Sequence, residues 1–185
     1  SALGGDILYE TYPGKVNVGF SKDGSFLELE GTSALVANNS YSVFYVGKGD
    51  SKDRPAVLVG DFDVDGAWGN SSGSRLVKTS DGVIAMQYGT PSLQTEVFNT
   101  IPKEGFFFFG FTMDSSGNYK YFDNTSPLIK TGSLNQTIKI NENNFKLNLY
   151  EDLNGPETYT HTEVVEVSMY DGKLSDLDFQ NQFTR

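Results

Sequence analysis

Three aspartates at alternate positions, in Asp61-Phe62-Asp63-Val64-Asp65-Gly66, are the sharpest chemical signal in this chain. Carboxylates at that spacing can converge on one hard cation, and the glycine permits the sharp turn that calcium loops need. A helix–loop–helix calcium loop also takes a bidentate glutamate at its twelfth position. Ser72 stands there, and the flanks read as strand and turn. Asp61, Asp63 and Asp65 could therefore hold calcium only in a loop of another type. The same spacing also fits a strand with the three aspartates on its wet face and Phe62 and Val64 inside. Three unneutralised carboxylates on one face repel each other, which favours a cation, a basic neighbour or a loop.

Directly after them comes Ala67-Trp68-Gly69-Asn70-Ser71-Ser72-Gly73-Ser74-Arg75, which carries the single tryptophan in a setting of Gly, Asn and Ser. An exposed indole is a stacking platform for a sugar ring, and Asn70 and Arg75 can hydrogen-bond hydroxyls. An indole folded back to cap the core is the alternative. Trp68, Asn70 and Arg75 are the candidate ligand-binding residues. The only histidine, His161, has no Cys or second His beside it, so a surface role is expected. Phosphate loops, dinucleotide fingerprints and nucleophile elbows are not found in the sequence. Four sequons, at Asn38, Asn70, Asn124 and Asn135, occur at about the frequency this composition gives by chance.

The elements that must position these residues read as strands. Alternating or wholly apolar runs occur at 26–30, 41–46, 55–59, 83–88, 106–113, 118–122, 137–140, 145–150 and 163–170. The Phe106–Met113 run reads as a strand buried on both faces. Turn signals separate them: Lys22-Asp23-Gly24, Ser80-Asp81-Gly82, Asp114-Ser115-Ser116-Gly117 and Asp171-Gly172. One segment, 175–183, reads as a helix. Ser175 stands at its N-cap with Asp178 three residues on, and Leu174, Leu177 or Asp178, and Phe179 could form one inward face.

Many short strands with Gly, Asn and Asp turns indicate an all-β sandwich or barrel. A length of 185 residues suits one domain, taken as 1–185. The formal net charge of −10 repels phosphate backbones and anionic lipid, so nucleic-acid binding and membrane insertion are not expected. Cysteine is absent, which removes disulfides and thiolate metal sites. The chain opens on Ser1 rather than Met, and no leader is visible, so it is expected to be part of a larger chain or assembly.

Three segments resemble the concanavalin A-like lectin/glucanase superfamily in its laminin-G-like branch. Gly24–Leu29 with Asn39–Gly49 is similar to an opening strand pair. Phe108–Asp114 through Asp123 resembles a central hairpin. Glu163–Asp176 resembles a closing strand that runs into a helix start. The resemblance implies a jelly roll of two antiparallel sheets with a short C-terminal helix. It also implies ligands on the concave sheet or at one rim, sometimes beside calcium. Glucanases of that fold carry E-x-D-x-x-E on one strand, and this string is missing. Glu163 and Glu166 come nearest, but in a regular strand they face opposite sides. The expected function is lectin-like, non-catalytic glycan binding, with calcium as the candidate cofactor. A structural, adhesion or decoration domain of a phage or virus particle is the alternative, and a glycoside hydrolase the second. Partners are then a glycan or a surface protein, and the location extracellular or on a virion.

Overall fold

The computed structural model describes residues 2–3, 7–12, 15–20, 26–29, 31–32, 38–49, 56–60, 73–78, 81–89, 93–101, 104–135, 145–149 and 163–183. Among them are strands β1 (Ala2–Leu3), β2 (Ile7–Tyr12), β3 (Lys15–Phe20), β4 (Phe26–Leu29) and β5 (Tyr41–Gly49). Next come β6 (Ala56–Gly60), β7 (Gly73–Lys78), β8 (Val83–Gly89), β9 (Leu93–Thr100) and β10 (Gly105–Met113). The last are β11 (Asn118–Asp123), β12 (Ser126–Ser133), β13 (Phe145–Leu149) and β14 (Glu163–Asp171), followed by helix α1 (Asp176–Phe183). They form two seven-stranded sheets. The first runs β1-β4-β13-β6-β7-β8-β9 and the second β12-β11-β10-β5-β14-β3-β2. All the pairings are antiparallel. The all-β sandwich with a short C-terminal helix is therefore the observed fold. The expected strand at 137–140 lies outside the described residues.

Alternation along β5 and β10 builds the core between the sheets. Tyr41, Val43 and Tyr45 on β5, and Phe107, Phe109, Phe111 and Met113 on β10, are each at most 1% exposed. They meet Leu76, Ile84, Met86 and Phe98 of the first sheet. Burying one such aromatic contributes about 1.5–3 kcal/mol, so this inner row is the main stabilising feature. Ring pairs such as Phe98–Tyr121, with centroids 4.7 Å apart, interlock the two layers.

The even-numbered face of β10 is buried only in part. Thr112 is 0% exposed, but Phe106 is 53% exposed, so the expectation of a strand dry on both faces holds toward Met113 and fails at the other end. The cause is α1, which covers one half of that outer face. Ser175 caps the helix by accepting the Asp178 N–H at 3.2 Å, and its hydroxyl donates to the Asp178 carboxylate at 2.6 Å. Phe179 is its anchor at 0% exposure. Leu177 does not join the inward face: it is 67% exposed, since it lies two residues from Phe179 and therefore on the far side of the helix.

Candidate functional site

Asp61, Asp63, Asp65, Trp68 and Asn70 lie outside the described residues, as does His161. What the topology does give is their place in the chain. β6 ends at Gly60 and β7 begins at Gly73, and the two strands are antiparallel neighbours. All five candidates thus belong to the single connection 61–72. Among the described residues, no group of three or more His, Cys, Asp or Glu could hold a metal ion.

Arg75 is described, and it is not in a loop. It sits in β7 and is 1% exposed, the largest fully buried side chain in the described structure. Neighbouring Ser74, Leu76 and Lys78 face the core. The Ser74 hydroxyl lies 3.2 Å from that of Tyr41, and the Lys78 ammonium is 5.8 Å from the Phe107 ring centroid. Alternation then places Arg75 on the outward face of the first sheet. Room beside it comes from Gly60, its register partner: a Cβ there would come within 2.5 Å of the Arg75 Cβ. A guanidinium out of water requires acceptors for its five donors, so this position is built for hydrogen bonding and not for apolar packing.

The register extends that observation across the sheet. Glu28, Lys146, Gly60, Arg75, Gln87 and Thr95 pair in sequence, forming one transverse row through β4, β13, β6, β7, β8 and β9. Every member is polar or glycine. The next row, Leu27, Leu147, Val59, Leu76, Met86 and Glu96, is apolar up to its last member, and its Val59, Leu76 and Met86 are in the core. Sequence reading finds Arg75 in this row and misses the others, because their alignment exists only once the strands are paired.

β14 corrects one expectation. A bulge between Val164 and Glu166 sets Glu163 opposite Lys48 and Glu166 opposite Val46. Lys48 and Val46 are two apart on β5, so the two glutamates stand two register positions apart instead of three. Glu166 is half-buried on the outer face of the second sheet.

Polar side chains also close one edge of the sandwich. Asp123, 1% exposed, accepts from Asn99 Nδ2 at 2.8 Å and from the Thr125 N–H at 2.8 Å. The Tyr119 hydroxyl donates to Glu96 at 2.7 Å. Burial, then this bond to a carboxylate, pushes the titration of Tyr119 far above the ordinary phenol value. These contacts tie β9 of one sheet to β11 of the other and are structural.

No protein-family model matches the sequence, and no curated protein does. Solved structures do share the fold. The CBM40 module of the Ruminococcus gnavus IT-sialidase aligns at a TM-score of 0.67 and 18% identity, over 95% of this chain and 97% of that one. The same module has been solved bound to α2,3-sialyllactose. A Trypanosoma rangeli sialidase in complex with sialic acid aligns at 0.65 and 14% identity, over 95% of this chain and 28% of that one. The binding domain of botulinum neurotoxin DC, in complex with rat synaptotagmin II, aligns at 0.68 and 16% identity, over 99% and 46%. The chain thus spans 28% of the sialidase and 46% of the toxin domain. At these identities the likeness is one of fold alone, an antiparallel β-sandwich.

Proposed function

We propose that this chain is a non-catalytic recognition module that binds glycans. The observation that supports it most is the alignment with CBM40, in which each chain covers nearly all of the other. A module of the same size and fold is a closer functional analogue than a segment of a large enzyme. The laminin-G-like likeness of the sequence segments points the same way.

In this reading, Trp68 and Asn70 in the 61–72 connection meet the sugar, and Arg75 supports them from the adjoining strand. Asp61, Asp63 and Asp65 would hold calcium and fix the connection. Calorimetric titration with 3′-sialyllactose, with and without EDTA, tests this. Expected are a millimolar or tighter affinity and at least tenfold weakening in Trp68→Ala. No heat from millimolar sugars, together with an unchanged Trp68→Ala variant, would sink the reading.

The toxin domain supports a second reading, because its fold holds a protein partner, synaptotagmin. A structural, adhesion or decoration domain on a phage or virus particle would use the sandwich that way, at an extracellular or virion surface. Recovery of the chain on purified particles would favour it. Hydrolysis is the least supported reading. Although the β14 bulge leaves Glu163 and Glu166 two register positions apart, E-x-D-x-x-E is absent. We expect no reducing sugar from the glycans that bind.

A further inference from the structure

Helix α1 is held differently from the chain that leads into it. At the end of β14, Gly172 (φ 69°) turns the backbone toward β5 and β10. Its N–H donates to the Ser40 carbonyl at 3.1 Å, and its carbonyl accepts from the Ser42 hydroxyl at 2.9 Å. The Leu174 N–H is shared between the Ser42 and Thr112 hydroxyls, 3.2 Å from each. Those two hydroxyls lie 2.6 Å apart, and both residues are 0% exposed. Residues 172–174 are thus clasped by a buried hydroxyl pair, and breaking the clasp would leave buried polar groups unpaired. Beyond Ser175 the attachment changes. Residues 176–178, 180 and 181 of α1 are exposed, and Phe179 is 0% exposed. The Phe179 ring packs 5.4 Å from that of Phe44 and 4.9 Å from that of Phe122, and Phe44 in turn meets Tyr170 at 5.9 Å. Lys120 pairs with Asp176 in the first turn, but the Asp176 side chain is 76% exposed, where an ion pair contributes little and salt screens it. Asn181 and Gln182 have partners as well.

We propose that α1 is a hinged cover, which opens as one unit about the 172–174 clasp while the sandwich stays folded. Opening bares an aromatic surface of Phe44, Phe122 and Tyr170 on the outer face of the second sheet, and it does so whatever ligand the chain takes. Two magnitudes separate the cover from the body. A helix of eight residues does not persist alone, so α1 docks and forms in one event and undocks and melts in one event. One buried phenylalanine supports a closed-to-open ratio of about 10²–10³. The sandwich, with its aromatic inner row, belongs to the global unit, for which domains show folded-to-unfolded ratios of about 10⁴ or more. The weaker unit therefore opens first and by itself. The hinge lies between Leu174 and Ser175, where attachment passes from buried backbone hydrogen bonds to one anchoring ring.

Native-state amide hydrogen exchange of the full chain, resolved by residue and repeated at low urea concentrations, tests this. Expected in the parent is a common protection of about 10²–10³ for the amides of residues 179–183, nearly independent of urea because little surface opens. The amides of Leu174 and of β10 should exchange at least tenfold more slowly. Phe179→Ala should bring the α1 amides to within about fivefold of an unstructured chain while Leu174 and β10 remain protected. Lys120→Met should change α1 exchange by less than about fivefold, as an exposed pair predicts. Leu177→Ala, at a 67% exposed position, should leave it within about twofold of the parent. The proposal falls if the α1 amides in the parent are as slow as those of β10 and share their urea dependence, since the helix then opens only with the whole domain. It falls equally if they already exchange as an unstructured chain does, or if Leu174 exchanges together with α1, which would move the hinge off the clasp. The parent chain alone decides these outcomes, so a variant that fails to fold does not rescue the proposal.

Discussion

Asp114 closes the β10–β11 hairpin with its side chain as well as its backbone. Its Oδ1 accepts the N–H groups of Ser116 and Asn118, both at 3.0 Å, and its Oδ2 pairs with Lys173 at 3.1 Å. Partial burial alone would raise its titration. The bonds from Lys173 and Asn118, with the Lys173 charge, outweigh burial and hold it below the ordinary 3.8. A carboxylate depressed in the folded state stabilises the fold above its unfolded value, and that contribution fades as pH falls through the folded one. Asp114→Asn should therefore be less stable than the parent at pH 7, and the gap should narrow below pH 3.8. Urea unfolding at about pH 7 and about pH 2.5 measures it, and a gap that is constant with pH refutes the assignment. Ser175 is a simpler case. Removing its cap in Ser175→Ala should cost about 1 kcal/mol by the same assay. At Gly110, a Cβ would come within 2.5 Å of the Phe122 ring and 3.0 Å of the Phe44 ring. Overpacking there predicts a loss of about 1–3 kcal/mol in Gly110→Ala.

The elements differ in how plainly the sequence announced them. β5, β8, β10, β11 and β14 alternate large apolar residues with others, and their positions were legible to within a few residues. β7 was not. Its inner face carries Ser74, Leu76 and Lys78 and its outer face Arg75 and Val77, so polarity does not alternate although burial is complete on both faces. A buried arginine and a buried lysine on one strand make it look like a loop. β12 contains Pro127, which suits the edge it occupies but weakens a strand signal. β9 carries the irregularity that leaves Phe98 between its register pairs, which breaks the period of two. For α1 the Ser175 cap was legible, whereas the choice of inward residue was not, because Leu177 and Phe179 are both apolar and only docking selects between them. That choice has a measurable consequence. Phe179→Ala should cost about 3–5 kcal/mol, the range for removing a fully buried ring, while Leu177→Ala should stay within about 0.5 kcal/mol. Equal losses in urea unfolding would mean that the helix does not dock through Phe179.

At the scale of the whole molecule the question is what the 61–72 connection does for a chain of net charge −10. The fold itself does not depend on it, since β6 and β7 pair along their described length from Ala56–Lys78 to Gly60–Arg75. Three aspartates in the connection add to an already acidic molecule, so like-charge repulsion opposes any ordered arrangement of it unless a cation is present. Arg75, adjoining on β7, and calcium are two candidate sources of positive charge. The two make different predictions. A cation bound only by the folded chain stabilises it by mass action, about 2.7 kcal/mol at a hundredfold excess over its dissociation constant. If calcium occupies Asp61, Asp63 and Asp65, the melting temperature should rise with added calcium and fall back with EDTA. The rise should vanish in Asp63→Asn, and EDTA should weaken sugar binding in parallel. If Arg75 alone neutralises the aspartates, neither melting nor binding should respond to calcium or to EDTA, and Arg75→Met should destabilise the parent more than it destabilises the Asp63→Asn variant. A melting temperature unmoved by calcium in the parent chain would remove the metal from the site.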